Sequence, residues 1–139
     1  MPDFDLAYEA FRQNNIDFFV ERGESSIEEK FFTLLAPYMK DKVSPEELRK
    51  KFDSIPKEDL ADYYTQQIPR STQKIFVGNH INWWNYAKLR RMLKRAGFKK
   101  IYRSTEQGSR FPEMRGEGRN YGFDSTHPQI SLFVEAVKQ

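Results

Sequence analysis

The sequence predicts an α+β fold (partial α/β), in which short N-terminal helices precede one long helix packed on a small sheet that ends in an antiparallel strand pair. Two observations carry this expectation. Helix-start signals recur through the first seventy residues, each followed by apolar side chains at helical spacing. The pattern then changes, and segments 100–105 and 130–137 read as strands after a final helical stripe. At 139 residues the chain is long enough for a single domain with one modest core, with about 1–73 helical and about 74–139 forming a strand–helix–strand–strand unit.

Each element has its own signal. Asp3 or Asp5 caps a first helix whose apolar face is Leu6, Ala7, Ala10 and Phe11, and Asn14-Asn15 ends it. Ser26 with Glu29 makes a capping box ahead of a second helix, with Ile27, Phe31, Leu34, Leu35 and Tyr38 as its stripe. Ser44-Pro45-Glu46-Glu47 starts a short third helix, with proline at the first helical position and acids at the positive dipole end. A fourth helix runs from Lys57 to about Gln67, between Pro56 and Pro69. Lys74 to Gly78 reads as a short strand. Asn82 or Asn85 caps the long helix, which presents Tyr86, Leu89, Met92, Leu93 and Ala96 to a core and stops at Gly97. Strands are expected at Lys100–Thr105 and Ile130–Val137, joined by a Gly- and Arg-rich loop from Glu106 to Asp124.

Composition narrows the setting. The chain has no cysteine, which excludes disulfides and thiolate metal sites and fits a reducing compartment. The start, Met-Pro-Asp-Phe-Asp, has neither a basic nor an apolar leader region, and no apolar run approaches the roughly 20 residues a membrane helix needs. A cytoplasmic location is therefore expected, with no membrane partner. Aromatic residues are 15% of the chain, so many rings must be buried in a core or an interface. Charge is uneven: residues 1–70 carry 15 acidic and 10 basic side chains, whereas residues 71–139 carry 5 and 13. That asymmetry points to an anionic partner for the second half, or to complementary contact between halves or subunits.

Several groupings of chemical interest weaken on inspection. His80, His127 and Asp124 supply the residue types of a two-His, one-carboxylate metal site, but no helical spacing links them, and no metal is expected. Asp124, Ser125 and His127 lie too close in sequence to adopt triad geometry easily. Gly116, Gly118 and Gly122 miss the dinucleotide spacing, and no helix follows them. The basic run Lys88, Arg90, Arg91, Lys94, Arg95, Lys99, Lys100 and Arg103 contains no acid, and such a helix can track phosphates. A solvated outer face explains it equally, since cations suit a helix C-terminus. Arg110, Arg115 and Arg119 in the long loop have the chemistry to bind a carboxylate or phosphate, or to pair with Glu113 and Glu117.

From His80 onward the order of elements is distinctive. His80-Ile81-Asn82-Trp83-Trp84-Asn85-Tyr86 leads into a helix ending Ala96-Gly97-Phe98. Ile101-Tyr102-Arg103-Ser104 follows, and the chain closes on Ser131-Leu132-Phe133-Val134-Glu135-Ala136. This resembles the end of class I S-adenosylmethionine-dependent methyltransferases, where a helix ending in A-G-F precedes a sixth strand and a seventh, antiparallel strand closes the sheet. Pro2-Asp3-Phe4-Asp5 resembles the segment that follows the fifth strand, which makes residues 6–74 a helical insertion. The resemblance implies that strands one to five and the glycine-rich cofactor loop would precede Met1. The isolated chain is then expected to bind no cofactor and to be inactive alone, with S-adenosylmethionine belonging to the full-length family. It further implies substrate-side roles for His80, Trp83, Arg110, Arg115 and Arg119. Partners expected on this reading are a second copy, joined through the edge of strand 130–137, or a separate cofactor-binding chain. The alternative is a small nucleic-acid-binding or structural oligomerisation module using helix 86–96.

Overall fold

Asp3 sets the first helix. Its buried carboxylate accepts from the Asp5 backbone N–H at 3.0 Å, and α1 (Phe4–Arg12) begins there. Asn14 ends it in the left-handed conformation, φ 53°, while the Asn15 N–H reaches back to the Ala10 carbonyl at 2.8 Å. The computed structural model describes residues 1–19, 25–75, 80–106, 108–112, 115 and 127–138.

Caps again start the next two helices. Ser26 Oγ accepts from the Glu29 N–H ahead of α2 (Ile27–Leu35), and Ser44 Oγ accepts from the Glu47 N–H ahead of α3 (Pro45–Ser54). α4 (Lys57–Thr65) follows Pro56 without a side-chain cap, and α5 (Thr72–Ile75) is a single turn. The expected strand at Lys74–Gly78 is therefore corrected at its start. Lys74 and Ile75 are helical, with Ile75 71% exposed, and residues 76–79 lie outside the described set.

These helices belong to one of two compact units, Pro2–Trp83. Its centre is aromatic. Phe11 lies 4.7 Å from Phe31 and 4.8 Å from Phe52, ring centroid to centroid, and Tyr8 stacks on Phe52 at 4.3 Å. Such pairs add to the gain from area burial. Phe4, absent from the expected face of α1, is buried against Phe31 and Trp83, while Leu6, expected inside, is 37% exposed. Phe32 is likewise buried on a helix whose stripe was expected to omit it. Two charged contacts tie helices at the surface: Lys57 to Asp5 at 2.6 Å, and Arg49 to Glu28 at 2.6 Å. Burial alone would raise the Glu28 carboxyl; hydrogen bonds from its own backbone, Arg49 and Ser26 outweigh that and hold it below the ordinary range.

The second unit comprises Met1 and Trp84–Gln139. Buried Asn85 caps α6 (Tyr86–Arg95) by accepting from the Lys88 N–H at 2.8 Å. Gly97 at φ 88° turns the chain out of the helix and straight into β1 (Phe98–Arg103), which pairs antiparallel with β2 (Val134–Lys138). The expected strands shift accordingly: β1 starts two residues earlier than Lys100, and Pro128–Ile130 is a 3-10 turn rather than strand. Pro128 opens that turn, and the His127 carbonyl accepts from the Ile130 N–H at 3.2 Å and from Ser131 Oγ at 2.9 Å. Contrary to expectation, no residue of α6 is buried, and Met92 is 47% exposed. A two-stranded sheet is too narrow to cover the helix's apolar stripe. No helix among the described residues is long and apolar enough to cross a membrane.

Candidate functional site

Register builds the site. In the β1–β2 ladder Tyr102 stands opposite Glu135, and Arg103 opposite Val134. Directly opposed residues project to the same face of a sheet, so the Tyr102 phenol meets the Glu135 carboxylate and donates to Oε2 at 2.5 Å. Two residues on, Ser104 returns to the same face and donates to Oε1 at 3.3 Å.

The loop after β1 then folds back onto the same carboxylate. A turn at Thr105–Gly108 reverses the chain, with the Gly108 N–H on the Thr105 carbonyl at 3.0 Å. A Cβ at Gly108 would lie 2.1 Å from Thr105 Oγ1, so this close turn favours glycine. Ser109 is buried, and its side chain hydrogen-bonds Glu135. The Arg110 backbone N–H also donates to Glu135 Oε2, at 3.3 Å. Partial burial would raise the Glu135 carboxyl, but the donors from Tyr102, Ser109, Arg110 and Ser104 together pull it below the ordinary glutamate range. For Tyr102 the hydrogen bond to Glu135 is the first cause of a raised phenol, with burial and the carboxylate's charge adding to it and Arg110 opposing.

The arginines are held by this scaffold. The Arg110 guanidinium carbon sits 3.9 Å from the Tyr102 ring centroid, a cation–π arrangement. Arg115 donates from Nε to the Ser109 carbonyl at 2.5 Å, the peptide immediately before Arg110. Both arginines are exposed, and among the described residues no carboxylate forms an ion pair with either guanidinium.

The remaining sequence candidates have contacts of their own. His80 and Trp83 belong to the helical unit. His80 Nδ1 lies 2.9 Å from the Leu34 carbonyl, which can only accept, so Nδ1 carries a proton. Trp83 is buried and donates from Nε1 to Asp62 at 2.6 Å. Trp83 belongs to the buried core of that unit, and His80 is half-buried. Arg119 lies outside the described residues, as do Asp124, Ser125 and Gly116, Gly118 and Gly122. No group of three His, Cys, Asp or Glu side chains among the described residues is arranged to hold a metal ion.

Arg110 and Arg115 are legible as candidates from the sequence, whereas the roles of Tyr102, Ser104, Ser109 and Glu135 are not. Tyr102 and Ser104 alternate along β1, which is a legible signal. Their convergence on Glu135 depends on the register of two strands separated by thirty residues, 104–133. No family model matches this chain, and no curated protein or solved structure does either.

Proposed function

We propose that this chain is the closing part of an S-adenosylmethionine-dependent methyltransferase, contributing substrate-side surface while the cofactor is bound by strands outside residues 1–139. One observation carries the reading. The Leu132 N–H donates to the Met1 carbonyl at 2.7 Å. The Ser104 N–H bonds the Phe133 carbonyl at 3.0 Å, and register makes these residues an opposed, hydrogen-bonded pair. Phe133 and Glu135 therefore turn their backbone groups toward β1, and Leu132, Val134 and Ala136 turn theirs the other way. Met1 thus borders the side of the closing strand away from β1. That is the side where a fifth strand leading into Pro2-Asp3 would lie in the resembled fold. The helix–strand–antiparallel strand order, α6–β1–β2, supports the same reading.

In this reading the chain is cytoplasmic, and the Arg110–Arg115 loop faces substrate. Calorimetry of the isolated chain with S-adenosylmethionine is expected to give no binding heat. Tight binding by residues 1–139 alone would overturn the assignment of the cofactor to another segment.

A second reading rests on the exposed cations of α6 and β1. Arg90, Arg91, Lys94, Arg95, Lys99, Lys100 and Arg103 are all exposed, which suits contact with nucleic-acid phosphates. Such binding would weaken steeply with salt. Absence of a gel shift with DNA and RNA at low salt would end it.

A further inference from the structure

We infer that Arg110 and Arg115 form a binding site for a phosphate group, with Glu135 and Tyr102 as the positioning residues behind it. The inference takes the substrate-side reading of this loop as its starting point and names the chemistry of the ligand.

The geometry has three parts. First, the Arg110 guanidinium lies over the Tyr102 ring at 3.9 Å. A guanidinium resting on an aromatic face keeps its N–H groups free along its edges, and an oxyanion uses those edges for bidentate contact. Second, Arg115 is tied through Nε to the carbonyl of Ser109, so its two terminal nitrogens extend beyond that anchor. The two cations are thereby attached to adjacent residues of one loop. Third, Glu135, the carboxylate beside Arg110 among the described residues, is already engaged; Glu113 and Glu117 lie outside the described set. Glu135 accepts from Tyr102, Ser104 and the Arg110 backbone N–H, and it forms no ion pair with either guanidinium. The site therefore pairs two fixed cations with a negative charge that is satisfied by neutral donors. Thirteen basic against five acidic side chains in residues 71–139 add a field that favours a dianion over a monoanionic carboxylate.

Glu135 gives the inference a sharp test. Replacing it with glutamine removes a negative charge from the back of the site. Simple Coulomb attraction then predicts tighter anion binding. If Glu135 instead positions Arg110 by holding the loop and the Tyr102 ring, binding weakens. The experiment titrates the full chain with inorganic phosphate at fixed ionic strength, followed by NMR of the arginine Nε–H groups. Sodium acetate serves as the monoanion arm. Expected results are saturable shifts of Arg110 and Arg115 with phosphate, a weaker response to acetate, and about tenfold weaker phosphate binding in Arg110→Ala. Glu135→Gln weakens binding as well. Tyr102→Phe, which keeps the ring but loses the bond to Glu135, falls between wild type and Glu135→Gln, and serves if the glutamine variant does not fold. Arg90→Ala on α6 leaves the affinity within about twofold, since an exposed charge outside the site is largely screened. No saturable phosphate response, equal losses in Arg90→Ala and Arg110→Ala, or tighter binding in Glu135→Gln would each overturn the inference. None of these readouts involves the cofactor, so their failure is separate from failure of the methyltransferase reading.

Discussion

Tyr102 and Glu135 face each other across the antiparallel pair, and the bond between phenol and carboxylate fixes the start of the long loop. The relationship has a consequence in acid. Glu135 titrates below its ordinary value of 4.5 because its donors outweigh partial burial. A carboxyl lowered in the folded state contributes stability that is complete above the unfolded value and is lost as pH falls through the folded one. The Arg110 amide, which donates to Glu135, is expected to show an NMR shift that titrates with a midpoint below 4.5. Glu135→Gln is expected to abolish that titration, and a midpoint above 4.5 would contradict the clasp.

Tyr64 presents the opposite problem. Its ring is fully buried against Phe32, yet its hydroxyl has no hydrogen-bond partner among the described residues. Burial, with a smaller contribution from the charge of Glu47, pushes the phenol well above its ordinary value of 10.0. An unsatisfied buried hydroxyl costs about 1–3 kcal/mol. Tyr64→Phe is therefore expected to leave stability unchanged or raise it by about 1 kcal/mol in urea unfolding. A group raised in the folded state favours folding below its unfolded value, and the contribution is lost as pH climbs toward the folded value. Wild-type stability should thus decline above pH 10 more steeply than that of Tyr64→Phe. A marked loss of stability in the phenylalanine variant at neutral pH would show that the hydroxyl has a partner.

The ends of α6 carry a third expectation. Asn85 is buried and its side chain caps the helix, and Gly97 closes it at φ 88°. Asn85→Ala removes the cap, and Gly97→Ala forces a Cβ into the left-handed region. Each is expected to cost about 1 kcal/mol. Because no α6 residue is buried, packing offers little to offset either loss. Helix content by circular dichroism should fall in both variants, and unchanged melting of Asn85→Ala would remove the cap's assigned weight.

The same residues show what the sequence made legible. Ser26, Ser44 and Asn85 were readable as caps because capping is local, and Asn14 and Gly97 were readable as stops for the same reason. On α1 periodicity locates three buried residues, Ala7, Ala10 and Phe11, but not the approach of Phe31 and Trp83 that buries Phe4. The stripe on α6 is amphipathic, as its spacing indicates, but no residue of it is buried. Periodicity reports which face is apolar, while burial needs a surface to cover that face. In the candidate site, arginines in a long loop drew attention by residue type. Glu135 did not, since its role arises only when a strand register brings Tyr102, Ser104 and Arg110 to it.

Opposed pairing of Ser104 with Phe133 turns the N–H groups of Val134 and Ala136 away from β1. Leu132, in the same phase, already gives its N–H to the Met1 carbonyl. An apolar strand edge of this kind recruits another strand, and a second copy of the chain is the occupant expected for the isolated protein. Sedimentation at micromolar concentration should then report a dimer. Ala136→Pro removes an N–H from that edge while leaving the bonds to β1 at Phe133 and Glu135 in place, so it should shift the chain toward monomer with its helix content intact. A wild-type monomer under these conditions, or a dimer indifferent to Ala136→Pro, would overturn pairing through this edge.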